Sequence, residues 1–246
     1  MTGQAKKSPR PGQASKKFGR AHCNHYQEME SLLLWISPLE EQRKHQKIAS
    51  KRLPNTGCWF LDTKTFRTWH DEDQGPSLLG CYGIPGAGKS IISSLVIDHL
   101  SAKSTGENVC VAFAYCDYGN QEQQSMRNMI GGPFKQVITA SNNVTEEIIN
   151  PLLKINKDRK NLELNDAFEP LLKVLKSFKK TYVCIDALDE CSEKHRKEII
   201  CYINQLSTLS FTDSTAVPVK IFFTGRPHIK NTSIHIHPLR PQGHYP

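Results

Sequence analysis

Hydrophobic positions along this chain follow two rhythms. Within YQEMESLLLWI, Met29, Leu32, Leu33 and Ile36 recur at the spacing of one helical face, and Pro38 ends the segment. The charged stretch LEEQRKHQKIASKR predicts a second helix. LPNTGCWFL predicts a turn at Asn55, Thr56 and Gly57 with a short apolar run after it, and TFRTWHDEDQGPS a short amphipathic helix that runs into an acidic linker. A boundary near Gly75 separates this part from the rest.

Beyond Gly75, unbroken apolar runs alternate with helical stretches. Strands are predicted at 78–82, 109–116, 181–186 and 219–224, with a helix over about 89–101 and helical stretches filling 122–179. In the last of these stretches Asn165 is the expected N-cap, and Phe168, Leu171, Leu172, Leu175 and Phe178 form one face. Ser192 is expected to cap the next helix, striped by Ile199, Ile203, Leu206 and Leu209. SIHIHPL is a candidate fifth strand, but the nine residues 225–233 before it are fewer than the dozen or so that a parallel crossover needs, which argues against it. Runs such as VCVAFAYC are apolar throughout, as strands covered on both faces must be. The alternation predicts an α/β fold: a mostly parallel sheet flanked by helices, with an N-terminal helical extension. Residues 1–20 are expected to form a disordered basic tail, 21–75 a helical extension and linker, and 76–246 the core.

Charge sharpens that division. The chain of 246 residues has a net charge of +8, yet residues 1–20 hold six of its 32 Lys and Arg and none of its 24 acids, leaving 26 − 24 = +2 for the remainder. The tail is too poor in apolar residues to offset its ordering entropy, and no aromatic-and-basic surface accompanies it, which argues against nucleic-acid binding. No run approaches the ~20 apolar residues of a membrane span, and no secretory h-region is present, so no membrane partner is expected and the chain is assigned to the cell interior, in the cytoplasm. The eight cysteines contain no CxxC pair and sit mostly in apolar runs, as buried free thiols do. HCNH at 22–25 and HIH at 235–237 each lack a convincing second ligand pair in sequence.

Candidate chemistry gathers at three strand ends. GIPGAGKS, residues 83–90, fits GxxxxGK[ST] between an apolar strand and an amphipathic helix, the context this phosphate-binding loop requires. Backbone N–H groups converge on a phosphate only where the chain turns tightly without Cβ obstruction, a turn that Gly83, Gly86 and Gly88 permit. Lys89 would reach the β- and γ-phosphates and the Ser90 hydroxyl would ligate Mg²⁺, with Ala87 and Ile91 in the same contact set. YVCIDALDE ends a strand in Asp186, Asp189 and Glu190. Asp186 would hold Mg²⁺ opposite Ser90, and Asp189 or Glu190, with Glu190 favoured, would orient or deprotonate the attacking water. In IFFTGRPH, Arg226 would contact the γ-phosphate. The expected cofactor is Mg²⁺ with ATP or GTP.

These residues, with WISPLEEQRKHQKIASKRLPNTGCWFL upstream, resemble the NACHT-type P-loop NTPase domain, in the nephrocystin-3-like N-terminal form found in fungal STAND proteins. The resemblance covers roughly residues 26–230. It implies a nucleotide-driven switch with homo-oligomers or related STAND proteins as partners, and it places Asn55 to Leu61 near the base and ribose. Trp59 could stack there, but the high average burial of tryptophan favours a core aromatic bridging the N-terminal helices and the sheet. Three departures from the family pattern carry expectations. Gly225 replaces a small hydroxyl residue, predicting a looser loop before Arg226. Gly131, Gly132 and Pro133 interrupt what is normally a continuous helix, predicting a break or kink. The lid, winged helix and repeats of relatives are missing, predicting a truncated or degenerate member. The resulting reading is a switch domain with slow hydrolysis at best. The alternatives are a truncated, non-catalytic interaction module acting on full-length relatives and, more weakly, a P-loop phosphotransferase.

Overall fold

The computed structural model of the chain describes residues 27–73, 75–120, 122–158, 162, 164–209 and 219–231. The predicted basic tail, the HCNH and HIH motifs and the candidate fifth strand lie outside these residues.

Among the described residues four strands, β1 (Leu78–Tyr82), β2 (Val109–Tyr115), β3 (Lys180–Asp186) and β4 (Val219–Gly225), form one sheet in the order β1-β4-β3-β2, with every pairing parallel. Each strand is apolar on both sides because both faces are covered. Leu78, Val183, Ile185, Ile221 and Phe223 face one buried cluster, whereas their neighbours Leu79, Tyr182, Cys184 and Phe222 face the other. This is the two-residue period of a strand applied twice.

The first cluster is closed by α1 (residues 27–36), α6 (Met126–Ala140), α7 (Glu146–Lys157), α8 (Leu164–Leu175) and α9 (Glu193–Leu209). On the second face lie α3 (Cys58–Leu61), α4 (Lys64–Asp71) and α5 (Lys89–Lys103). The segment before β1 therefore divides between the two faces. Leu32 and Ile36 of α1 are fully buried in the first cluster, and Trp69 of α4 is fully buried in the second, its ring 5.5 Å from that of Tyr182. Between them, α2 (Glu41–Ala49) packs on β2 and α5. The predicted stripe of α9 is buried at Ile199, Ile203 and Leu206, and Ser192 caps it by accepting from His195 N at 3.3 Å. Helix α8 begins one residue before Asn165, so that residue lies within its first turn and does not precede it.

Two expectations fail here, a break at Pro133 and a core place for Trp59. Helix α6 runs unbroken through Pro133. Gly131, two residues before it, serves a close approach: a Cβ there would sit 2.5 Å from the carbonyl oxygen of Ile36, so the end of α1 lies directly on α6. Packing against α1 and the sheet outweighs the missing proline donor. Trp59 is not a core aromatic either. It is 64% exposed, while its neighbour Phe60 takes the buried place and packs against Phe66 and Phe222.

Candidate phosphate-binding site

Parallel pairing brings the carboxyl ends of β1, β3 and β4 to one edge of the sheet, the edge where α/β folds bind ligands. There β1 runs into the glycine loop, and Gly83 N–H still donates to Gly225 O at 3.1 Å. Gly86 and Gly88 adopt φ of 79°, and among the described residues nothing beyond their chain neighbours lies within 4 Å of where a Cβ would project. Their glycine requirement is therefore conformational, as in a loop that turns its N–H groups inward. Helix α5 starts at Lys89 with no side-chain cap, so its positive end points into the loop. Lys89 Nζ folds back to donate to the carbonyls of Gly83 at 2.9 Å and Ile84 at 3.1 Å.

Asp186 closes β3 and is only 2% exposed. It accepts a hydrogen bond at 2.6 Å from Thr224 Oγ1, which in turn accepts from Ala187 N at 2.8 Å, and the Ser90 hydroxyl lies near enough to favour its charged form. Burial raises the Asp186 pKa, and the two hydroxyls pull it back. Ala187 takes a left-handed φ of 52°, which turns the chain sharply after the aspartate into the short 3₁₀ turn Leu188–Glu190.

The two acids of that turn are held differently. Asp189 is bound twice by Arg226: Arg226 Nε lies 2.9 Å from Oδ2, and Arg226 N–H donates to Oδ1 at 3.0 Å. The Asp189 side chain is 3% exposed and that of Arg226 46% exposed. Glu190 Oε2 accepts from Tyr118 N at 3.1 Å, tying the turn to the segment after β2. The loop before Arg226 is not slack at Gly225. That residue pairs with Tyr82 in the sheet, and a Cβ there would collide with the buried Ile229 side chain.

All the predicted residues from Gly83 to Ile91, together with Asp186, Asp189, Glu190 and Arg226, thus belong to one edge. Thr224 was legible only as the polar end of an apolar strand. Its role depends on the β3–β4 register, in which Ile185 stands beside Phe223. Asn55–Leu61 lies along α5, since a Cβ on Gly57 would sit 3.5 Å from Ile92 and 3.4 Å from Leu95.

A second polar cluster secures the end of β2. Glu41 Oε2 accepts from Tyr115 N at 3.0 Å, and Lys44 Nζ donates to Tyr115 O at 2.7 Å. His45 bridges Tyr115 OH at 2.7 Å and Asp98 at 2.9 Å, and Arg52 pairs with Asp98 at 2.6 Å. Burial pushes the Glu41 carboxyl up to about 7.

The donor set at the edge fits a phosphate-bound Mg²⁺. Ser90 and Asp186 offer neighbouring hard oxygens, and Mg²⁺ typically takes one or two such groups and completes its shell with water and phosphate. No cluster of three or more His, Cys, Asp or Glu side chains suited to a metal occurs among the described residues. No helix among those residues is long and apolar enough to cross a membrane.

The family model described as nephrocystin 3, N-terminal, matches residues 55–226. The vegetative incompatibility protein HET-E-1 of Podospora anserina is 24% identical over 195 residues, which is 77% of this chain and 14% of that protein. The chain therefore spans about a seventh of the length of this relative. No solved structure matches.

Proposed function

The chain belongs to the nephrocystin 3 N-terminal family, and on that premise we propose that it is a NACHT-like switch domain that binds a nucleoside triphosphate with Mg²⁺ on Gly83–Ser90. The observation that carries this reading is the convergence on one sheet edge of an uncapped helix start, two left-handed glycines, Lys89 and the Ser90–Asp186 pair. A phosphate chain would draw Lys89 off the Gly83 and Ile84 carbonyls, exchanging two neutral acceptors for anionic oxygens. Mg²⁺ bound with the nucleotide would neutralise phosphate charge. Ser90 and Asp186 are the residues to hold it, and Thr224 keeps Asp186 aimed at that position.

Glu190 is the better candidate to orient water, because both Asp189 oxygens are engaged by Arg226. Asp189 is then a positioning residue that presents the Arg226 guanidinium to the terminal phosphate. With these groups engaged elsewhere at rest, hydrolysis is slow. Exposed Trp59, in the segment whose Gly57 packs against Ile92 and Leu95 of α5, is available to a base or ribose. Equilibrium binding of fluorescent ATP and GTP analogues tests the reading. Mg²⁺-dependent binding is expected, weakened on the order of 100-fold in Lys89→Ala. Binding that is absent, or unchanged in the variant, overturns it.

A role in signalling through self-association is supported by the likeness to the incompatibility protein. Light scattering with and without Mg·nucleotide tests it. Nucleotide-dependent growth in mass is expected, and a strict monomer in both states contradicts it.

A further inference from the structure

Cys116 and Cys191 are 75 residues apart in sequence, yet their sulfurs lie 2.9 Å from one another. Cys116 follows β2, and its N–H donates to Asp186 O at 3.0 Å; Cys191 ends the 3₁₀ turn that carries Asp189 and Glu190. Both are buried, at 4% and 7% exposure, and neither thiol has a part in the function proposed above. A disulfide has an S–S length of about 2.05 Å, so bonding asks the sulfurs to close by less than ~1 Å.

We propose that Cys116 and Cys191 form a reversible redox pair whose disulfide fastens the Asp189–Glu190 turn to the end of β2. The oxidant is a small peroxide. Cys191 reacts first: it is the more exposed of the two, and the hydrogen bond it shares with Cys116, with Arg196 nearby, holds its thiol below the ordinary thiol range. Its thiolate attacks one peroxide oxygen, the O–O bond breaks, and the departing hydroxide takes up a proton to leave as water. The sulfenic acid on Cys191 is then attacked by the sulfur of Cys116; the S–S bond forms, the S–O bond breaks, and a second water leaves with the Cys116 proton. Two sulfurs together lose two electrons, and the peroxide gains them. A reducing thiol reverses the bond by exchange.

Only residues 187–190 separate Asp186 from Cys191, so the bond holds that whole span in its resting arrangement, with Glu190 on Tyr118 N. The consequence for nucleotide turnover rests on the reading above, whereas the disulfide itself does not. Hydrogen peroxide treatment of the full chain, alkylation of remaining thiols and peptide mapping without reduction provide the test. A joined Cys116–Cys191 peptide pair is expected, lost on adding reductant. The unfolding midpoint should rise by on the order of 5 °C, an effect absent from Cys191→Ser. Cys58 and Cys201, both exposed, are the internal control. If they oxidise while Cys116 and Cys191 remain alkylatable, or if either joins another cysteine instead, the proposal fails. A chain that forms the bond but binds no nucleotide analogue in either redox state supports the pair and overturns the nucleotide reading.

Discussion

Asp186 and Glu41 are both buried carboxyl groups, 2% and 5% exposed, and burial raises the pKa of each, yet their partners differ in kind. Asp186 accepts from the Thr224 hydroxyl and has the Ser90 hydroxyl as a neighbour at the mouth of the glycine loop. Glu41 accepts from a backbone N–H of β2 and has Lys44 as a neighbouring charge. Hydroxyl oxygens can turn from donating to a carboxylate to ligating a cation beside it; a backbone N–H in a strand cannot. Burial with exchangeable partners thus marks a site, and burial with fixed partners marks a joint.

Thr224→Val should show the largest effect on this contrast. It leaves the Ala187 N–H without an acceptor and takes a donor from Asp186, both deeply buried, and should cost on the order of 4 kcal/mol in urea unfolding. A negligible cost would mean that Asp186 is not held as described. The pH dependence of Glu41 comes next. Its folded pKa of about 7 lies above the unfolded 4.5, so its contribution to stability is full below pH 4.5 and is lost as pH rises through 7. Relative to Glu41→Gln, which keeps an acceptor for Tyr115 N–H without titrating, the native chain should lose up to about 3 kcal/mol across that window. Parallel stability curves for the two proteins would remove Glu41 from the account. Ser90→Ala should have the smallest effect on folding, about 1 kcal/mol, because the residue is only partly buried and Asp186 keeps Thr224. Its Mg²⁺-dependent affinity for a nucleotide analogue should nonetheless fall; an unchanged affinity would make the Ser90–Asp186 pair a joint like the other.

The same contrast explains what could be read from the sequence. Gly83 to Ser90 is a local motif whose spacing fixes its geometry, and the apolar runs that became β1, β3 and β4 each end at the residues predicted to do chemistry. The clasp around Tyr115 was invisible because Glu41 and Tyr115 are 74 residues apart and nothing local pairs them. The same holds for the service of Thr224 to Asp186, across 38 residues. Both depend on register and helix placement, and so on tertiary packing. Pro133 and Trp59 were misread for related reasons. A proline penalty and an average burial are single-residue tendencies, and the close approach of Ile36 to Gly131 and the capture of the buried place by Phe60 overrode them.

In the function proposed above, the edge built from Gly83–Ser90 and Asp186 receives the phosphates. Hydrogen exchange of the full chain with and without Mg·ATP or Mg·GTP tests it most directly. Slowed exchange is expected at the amides of 83–91 and 186–190, with the end of β2 around Tyr115 unchanged. Exchange that is unaltered in the glycine loop, or slowed only elsewhere, would contradict the account.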